Sequence, residues 1–154
     1  MTVVFVTGMS GTGKSSALAE LACRGHQVVD TDYGDWIDDT PGSERLWNES
    51  RIDELLTAHD DGVLFVSGCV ANQGKFYERF DAVVLLSAPA DVILERVARR
   101  GTNDFGKNDA ERDEILRDLA SVEPLLHRGA TAAIDTRASL DEVVDELERI
   151  ACAA

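Results

Sequence analysis

Residues 8 to 15 read Gly-Met-Ser-Gly-Thr-Gly-Lys-Ser, a complete G-x-x-x-x-G-K-[ST] motif. Before it stands the β-branched apolar run Val3-Val4-Phe5-Val6. After it comes Ser16-Ala17-Leu18-Ala19-Glu20-Leu21-Ala22, a good helix former with Leu18, Leu21 and Ala22 at helical spacing. Strand, glycine-rich turn and helix in that order admit few folds. The glycines let backbone N–H groups turn inward and approach an anion closely. The helix N-terminus adds its dipole and unpaired donors. Gly8, Ser10, Gly11, Thr12, Gly13, Lys14, Ser15 and Ser16 are therefore expected around a polyphosphate. Lys14 reaches the β- and γ-phosphates and the Ser15 hydroxyl binds Mg²⁺.

The rest of the chain continues the alternation. Gln27–Val29, Val63–Val66, Ala82–Leu86 and Thr131–Ile134 read as further strands, nearly continuous apolar runs of the kind covered on both faces. Helices are predicted at about 14–24, 43–58, 90–100, 109–126 and 139–152, with Pro124 bending or restarting the fourth. Ser139-Leu140-Asp141-Glu142 is a capping box opening the last. The expected fold is a three-layer α/β/α P-loop NTPase domain with a five-stranded parallel sheet and a short lid. It forms a single domain over residues 1–154, with ligands at the carboxyl ends of the strands.

The net charge of −14 argues against nucleic acid or an anionic membrane as partner. Only Lys14, Lys75 and Lys107 are lysines, so arginines must supply most of the local positive field. Cys23, Cys69 and Cys152 fit no metal spacing, and their odd number discourages a disulfide framework. They read as small buried hydrophobes in a reducing cytosol. His26, His59 and His127 match no metal or triad pattern and read as surface or helix-end residues. No apolar stretch approaches the ~20 residues of a membrane span. A cytoplasmic protein, monomer or homodimer, is expected.

The second strand runs into Asp30-Thr31-Asp32. Carboxylates at i and i+2 on a strand end point the same way, here towards the phosphate loop. One can hold Mg²⁺, directly or through water, while the other accepts a proton from an acceptor hydroxyl. The plain alternative is a turn pair, since turns are rich in Asp.

From the end of the third predicted helix, Arg96, Arg99, Arg100, Gly101, Asn103, Asp104, Phe105, Gly106, Lys107 and Arg112 form a basic helix end that opens into a glycine-bounded loop. A lid at about 101–108 would deliver an arginine to the charge that builds during phosphoryl transfer. The alternative is that these residues only favour a helix C-terminus. The acceptor region is expected at about 33–61, where Tyr33, Trp36, Trp47 and Arg51 mingle with Asp32, Asp35, Asp38 and Asp39. It reads either as an aromatic-walled site for a hydroxylated metabolite or as a solvated acidic face with Trp47 in the core. Asn72, Gln73 and Lys75 either face the acceptor or cap a helix.

Taken in order, the phosphate loop, the strand ending Asp30-Thr31-Asp32, Val66-Ser67-Gly68-Cys69, Val83 to Arg100, and Ile134-Asp135-Thr136-Arg137 resemble the shikimate kinase and gluconate kinase group. That group belongs to the small kinases of the nucleoside-monophosphate-kinase type. The resemblance implies ATP-dependent phosphotransfer, with Mg²⁺ bound near Ser15 and Asp30, the acceptor near Asp32 and a mobile lid. It implies nucleotide contacts for Arg96, Arg112 and Arg137, and catalytic roles for Lys14, Asp32 and Arg100. The chain departs from the group in offering Arg45 and Arg51 where shikimate kinases carry dedicated carboxylate-binding arginines.

The leading expectation is therefore a small-molecule kinase with ATP and Mg²⁺ as cofactors. A nucleoside monophosphate kinase is one alternative; an ATPase or regulatory module without a small acceptor is another. The third strand ends Phe65-Val66-Ser67-Gly68, with no carboxylate for a Walker-B element.

Overall fold

A computed structural model describes residues 2–9, 11–38, 45–99 and 108–154. Ser10, Asp39, Arg100 and all of 101–107, hence nearly the whole expected lid, lie outside the described residues.

In chain order the strands are β1 (Thr2–Thr7), β2 (Gln27–Asp30), β3 (Ile37–Asp38), β4 (Leu46–Trp47), β5 (Val63–Ser67), β6 (Ala82–Ser87) and β7 (Ala132–Asp135). The helices are α1 (Lys14–Cys23), α2 (Glu49–Ala58), α3 (Ala90–Arg99), α4 (Asp109–Ser121), α5 (Glu123–Gly129) and α6 (Leu140–Ala153). Five strands form one parallel sheet in the order β2-β5-β1-β6-β7. The expected five-stranded parallel sheet is thus observed, with β1 at its centre.

Alternate residues of the strands feed opposite layers. Val4, Val6, Phe65, Val84 and Leu86 pack with Ala17, Leu18 and Leu21 of α1 and Val144 and Leu147 of α6. Val3, Phe5, Leu64, Val66 and Val83 pack on the other face with Trp47, Ile52, Phe76 and Phe80. Burial on both faces explains why these strands read as unbroken apolar runs. Phe5 stacks on Phe80 and meets Trp47 edge-on, with ring centroids 4.9 and 5.2 Å apart.

Two elements differ from expectation, and the restart expected at Pro124 is observed. The helix expected from 43 begins at Glu49, because Asn48 caps it by accepting from Arg51 N, and Leu46-Trp47 pair antiparallel with Ile37-Asp38 instead. The 109–126 helix breaks at Val122, and Pro124 opens α5, where its missing N–H costs no bond. Gln73–Arg79 form a 3₁₀ helix that no periodicity announced. The cysteines also differ from expectation. Cys23 and Cys152, in the last turns of α1 and α6, are exposed, and Cys69 is half-buried.

Candidate functional site

The phosphate loop leaves the carboxyl end of β1 and enters α1. Gly13 takes φ +96°, a left-handed conformation costly for any residue with a Cβ, and starts the helix with no side-chain cap. The first amides of α1 are therefore left for an anion. Gly11, at φ +82°, lies against Ile93 and Val97 of α3, where a Cβ would come within 3.0 Å of Val97. The loop cannot rise there without displacing α3. Thr12 is buried; its hydroxyl donates to Met9 O at 2.8 Å and its backbone N–H to the same carbonyl at 3.3 Å, so it braces the turn from within.

Lys14 Nζ donates to Gly8 O at 2.6 Å and to Met9 O at 3.2 Å, folded back along the loop. Removal from water pushes its pKa below the ordinary lysine value, and the fields of Cys69, Asp32 and Asp30 oppose that shift. Lys14 thus lies within electrostatic reach of both carboxylates at the end of β2. Ser15 Oγ donates to Asp30 Oδ2 at 2.7 Å, and Asp30 Oδ1 accepts from Asp32 N at 3.1 Å. β2 ends at Asp30, and Asp32 sits in the turn that follows, with Tyr33 N donating to Asp30 O. The two carboxylates share the sheet edge through this turn, and not by strand alternation as expected. Asp32 faces Arg45, with Nη2 3.7 Å from Oδ1.

Thr31, between them, was not singled out by sequence. It is buried; its hydroxyl donates to Ser67 O at 2.7 Å and accepts from Trp47 Nε1 at 3.0 Å. A Cβ on Gly68 would come within 2.4 Å of this hydroxyl, so the turn after β5 needs glycine there. Cys69 was likewise missed as a site residue. Burial raises its thiol pKa, and the charge of Lys14 opposes the rise. Its position directly after the Gly68 turn is the signal that was available.

The lid-side arginines separate. Arg96 Nη1 donates to Thr136 Oγ1 at 2.8 Å and Gly11 O at 3.3 Å, and Nη2 donates to Thr136 O at 2.5 Å. It therefore joins α3, the phosphate loop and the segment after β7. A recess of about 220 Å³ opens beside it, lined by Thr12, Gly13, Ser16, Ala138, Leu140 and Val143 among others. Arg137 folds back on Asp135 at 2.7 Å, which holds that carboxyl below its usual range. Arg112 is exposed on the first turn of α4, and Arg99 pairs with Glu95.

In the acceptor region, Trp47 is core, 1% exposed, whereas Tyr33 is 67% exposed. Asn72 and Gln73 are buried braces. Asn72 Oδ1 accepts from Trp47 N, and Gln73 bonds Val70 N, Thr7 Oγ1 and Tyr77 OH. Lys75 pairs with Glu49. His59 caps the end of α2, as a helix-end residue, but is buried with Nε2 3.1 Å from Gly62 O.

A family described as "AAA domain" matches residues 4–117. The chain belongs to that family. Its match spans the phosphate loop, the Asp30-Thr31-Asp32 turn and α3, and stops inside α4. Shikimate kinase from Acinetobacter baumannii, solved with shikimate, superposes with a TM-score of 0.72 at 17% identity, covering 99% of this chain and 94% of that one. Shikimate kinase from Bacteroides thetaiotaomicron gives 0.66 at 20% identity, covering 97% of each chain. A sugar kinase from Janibacter sp. gives 0.58 at 19% identity, covering 97% and 93%. No curated protein matches this chain in sequence. The fold is that of P-loop small-molecule kinases, as the resemblance implied. Among the described residues no helix is long and apolar enough to cross a membrane.

Proposed function

We propose that this AAA-domain protein is a small-molecule kinase that moves the γ-phosphoryl group of ATP to a hydroxylated metabolite. The observation that carries the reading is the joining of phosphate loop and carboxylate pair: Ser15 bonds Asp30 directly, and Asp30 bonds the backbone of Asp32. A phosphate held by the amides of α1 and by Lys14 then has a carboxylate at hand for an incoming hydroxyl.

Ser15 and Asp30 offer a hydroxyl and a carboxylate, two hard oxygen donors, which suits Mg²⁺ because that ion takes few protein ligands and keeps waters and phosphate oxygens. Held by Ser15 and Asp30, Mg²⁺ would neutralise negative charge on the phosphates. Lys14 swings from the carbonyls of Gly8 and Met9 to the β- and γ-phosphates. Asp32 orients the acceptor hydroxyl and takes its proton. Arg96 steadies the recess where the nucleoside lies, and the kinase resemblance assigns further nucleotide contacts to Arg137 and Arg112. Arg100, assigned from its place after α3, supplies positive charge to the transferred group. Most of the rate comes from positioning and fixed charge. The reading places the protein in the cytoplasm as a monomer or homodimer.

An ATPase without an acceptor is the second reading, favoured by the AAA-domain match over residues 4–117. The absence of a carboxylate at the end of β5 weighs against it. ADP release with Mg·ATP, screened over hydroxylated metabolites and nucleoside monophosphates, tests the proposal. A many-fold rise with one acceptor is expected, and a rate indifferent to every acceptor would favour the ATPase.

A further inference from the structure

Ser67 is the last residue of β5 and is fully buried. Its Oγ is a buried side-chain atom that finds no hydrogen-bond partner among the described residues. Its carbonyl, by contrast, is well used by Thr31 N and Thr31 Oγ1. A buried hydroxyl without a partner is costly, and alanine would fill nearly the same space at no such cost.

The sheet register gives the direction of this hydroxyl. Ser67 is aligned with Val6 on one neighbour and with Asp30 on the other. Residues aligned across a parallel pair point to the same face, as do residues two apart on one strand. Val6 and Phe65 both pack against α1, so Ser67 and Asp30 also face α1. There the Asp30 carboxylate meets Ser15 in the first turn of that helix. Two hydroxyls and a carboxylate therefore share one face at one edge of the sheet, and one of the three lacks a partner.

A hydrated divalent cation supplies what is missing. Mg²⁺ keeps several of its waters when it binds, and a metal-bound water is a strong donor. We propose that Ser67 Oγ accepts a hydrogen bond from a water on the nucleotide's Mg²⁺, making Ser67 a positioning residue for the metal. The inference rests on the nucleotide reading of this site. It assigns to a neutral hydroxyl the place where the strand end carries no carboxylate, and leaves Asp30 as the charged partner.

The test is ADP binding by calorimetry, in EDTA and across a Mg²⁺ titration, for wild type, Ser67→Ala and Ser67→Thr. In Ser67→Ala, affinity in EDTA should stay within about twofold of wild type. The Mg²⁺ concentration for half-maximal enhancement should rise about tenfold, the lower range for loss of an outer-sphere partner. Ser67→Thr keeps the hydroxyl and should hold the wild-type midpoint. The ligand-free melting temperature of Ser67→Ala should equal or exceed that of wild type, because an unpaired buried group is gone. Equal Mg²⁺ midpoints in wild type and Ser67→Ala would overturn the inference, as would an equal loss of affinity with and without Mg²⁺. Wild type that binds no ADP with or without Mg²⁺ would overturn the nucleotide reading, whereas ADP binding that ignores Mg²⁺ would leave that reading and overturn this inference alone.

Discussion

The Ser15 hydroxyl donates to Asp30 Oδ2 at 2.7 Å, joining the first turn of α1 to the carboxyl end of β2. That bond ties together two consecutive elements, its ends 15 residues apart in the chain. It fixes where a cation can sit relative to a phosphate. Asp32, one turn later, is tied to the same carboxylate through its backbone and keeps its own side chain for another partner.

The two aspartates should therefore fail differently. Asp30→Asn should raise the Mg²⁺ requirement, and Asp32→Asn should lower turnover ~10²–10⁴-fold while sparing nucleotide affinity. Steady-state kinetics across Mg²⁺ concentrations separates the two. Near-wild-type turnover in both variants would return the pair to an ordinary turn.

Lys14→Met should abolish phosphoryl transfer without weakening the fold. Desolvation holds the folded pKa of Lys14 below its value of 10.5 in the unfolded chain. Between those two values the unfolded chain binds more protons, so this group makes stability rise with pH. Its penalty is present in full below the folded pKa and fades towards pH 10.5. The variant should melt at or above wild type near neutral pH, and the gap should close as pH climbs. Melting curves from pH 7 to about 10.5 check the sign; a gap that widens with pH would refute it.

Trp47→Phe should destabilise the protein by about 1–3 kcal/mol, through a lost indole hydrogen bond and a small cavity. It should also lower turnover, because the bond runs to Thr31, between the two aspartates. Urea unfolding gives the first quantity and initial rates the second. A stability loss with turnover intact would detach the core from the site.

Arg96→Lys cannot reproduce a fork that reaches Thr136 Oγ1, Thr136 O and Gly11 O at once. The KM for nucleotide should rise about tenfold, the equivalent of one good charge-assisted bond, with the acceptor KM unchanged. Equal shifts in both would place Arg96 in general stability instead.

The strands were legible because burial on both faces leaves an apolar run that nothing else in the chain imitates. The phosphate loop was legible because few backbones suit an anion. Leu46 and Trp47 misled because one buried aromatic beside an apolar neighbour fits helix and strand alike, and only the cap at Asn48 shows where α2 begins. Thr31 and Ser67 were illegible in their roles. Both are small polar residues whose importance lies in a partner, or the lack of one, brought from elsewhere in the chain.

Thr31 lies between the two carboxylates and is clamped to the carbonyl of β5 and to the indole of Trp47. The end of β2 is thereby anchored in the interior, while Tyr33, Gly34 and Asp35 are exposed. On the kinase function proposed above, chemistry and recognition fall to different parts of the molecule, and a change of acceptor would rewrite the exposed stretch that follows Asp32 while leaving the phosphate-handling machinery intact.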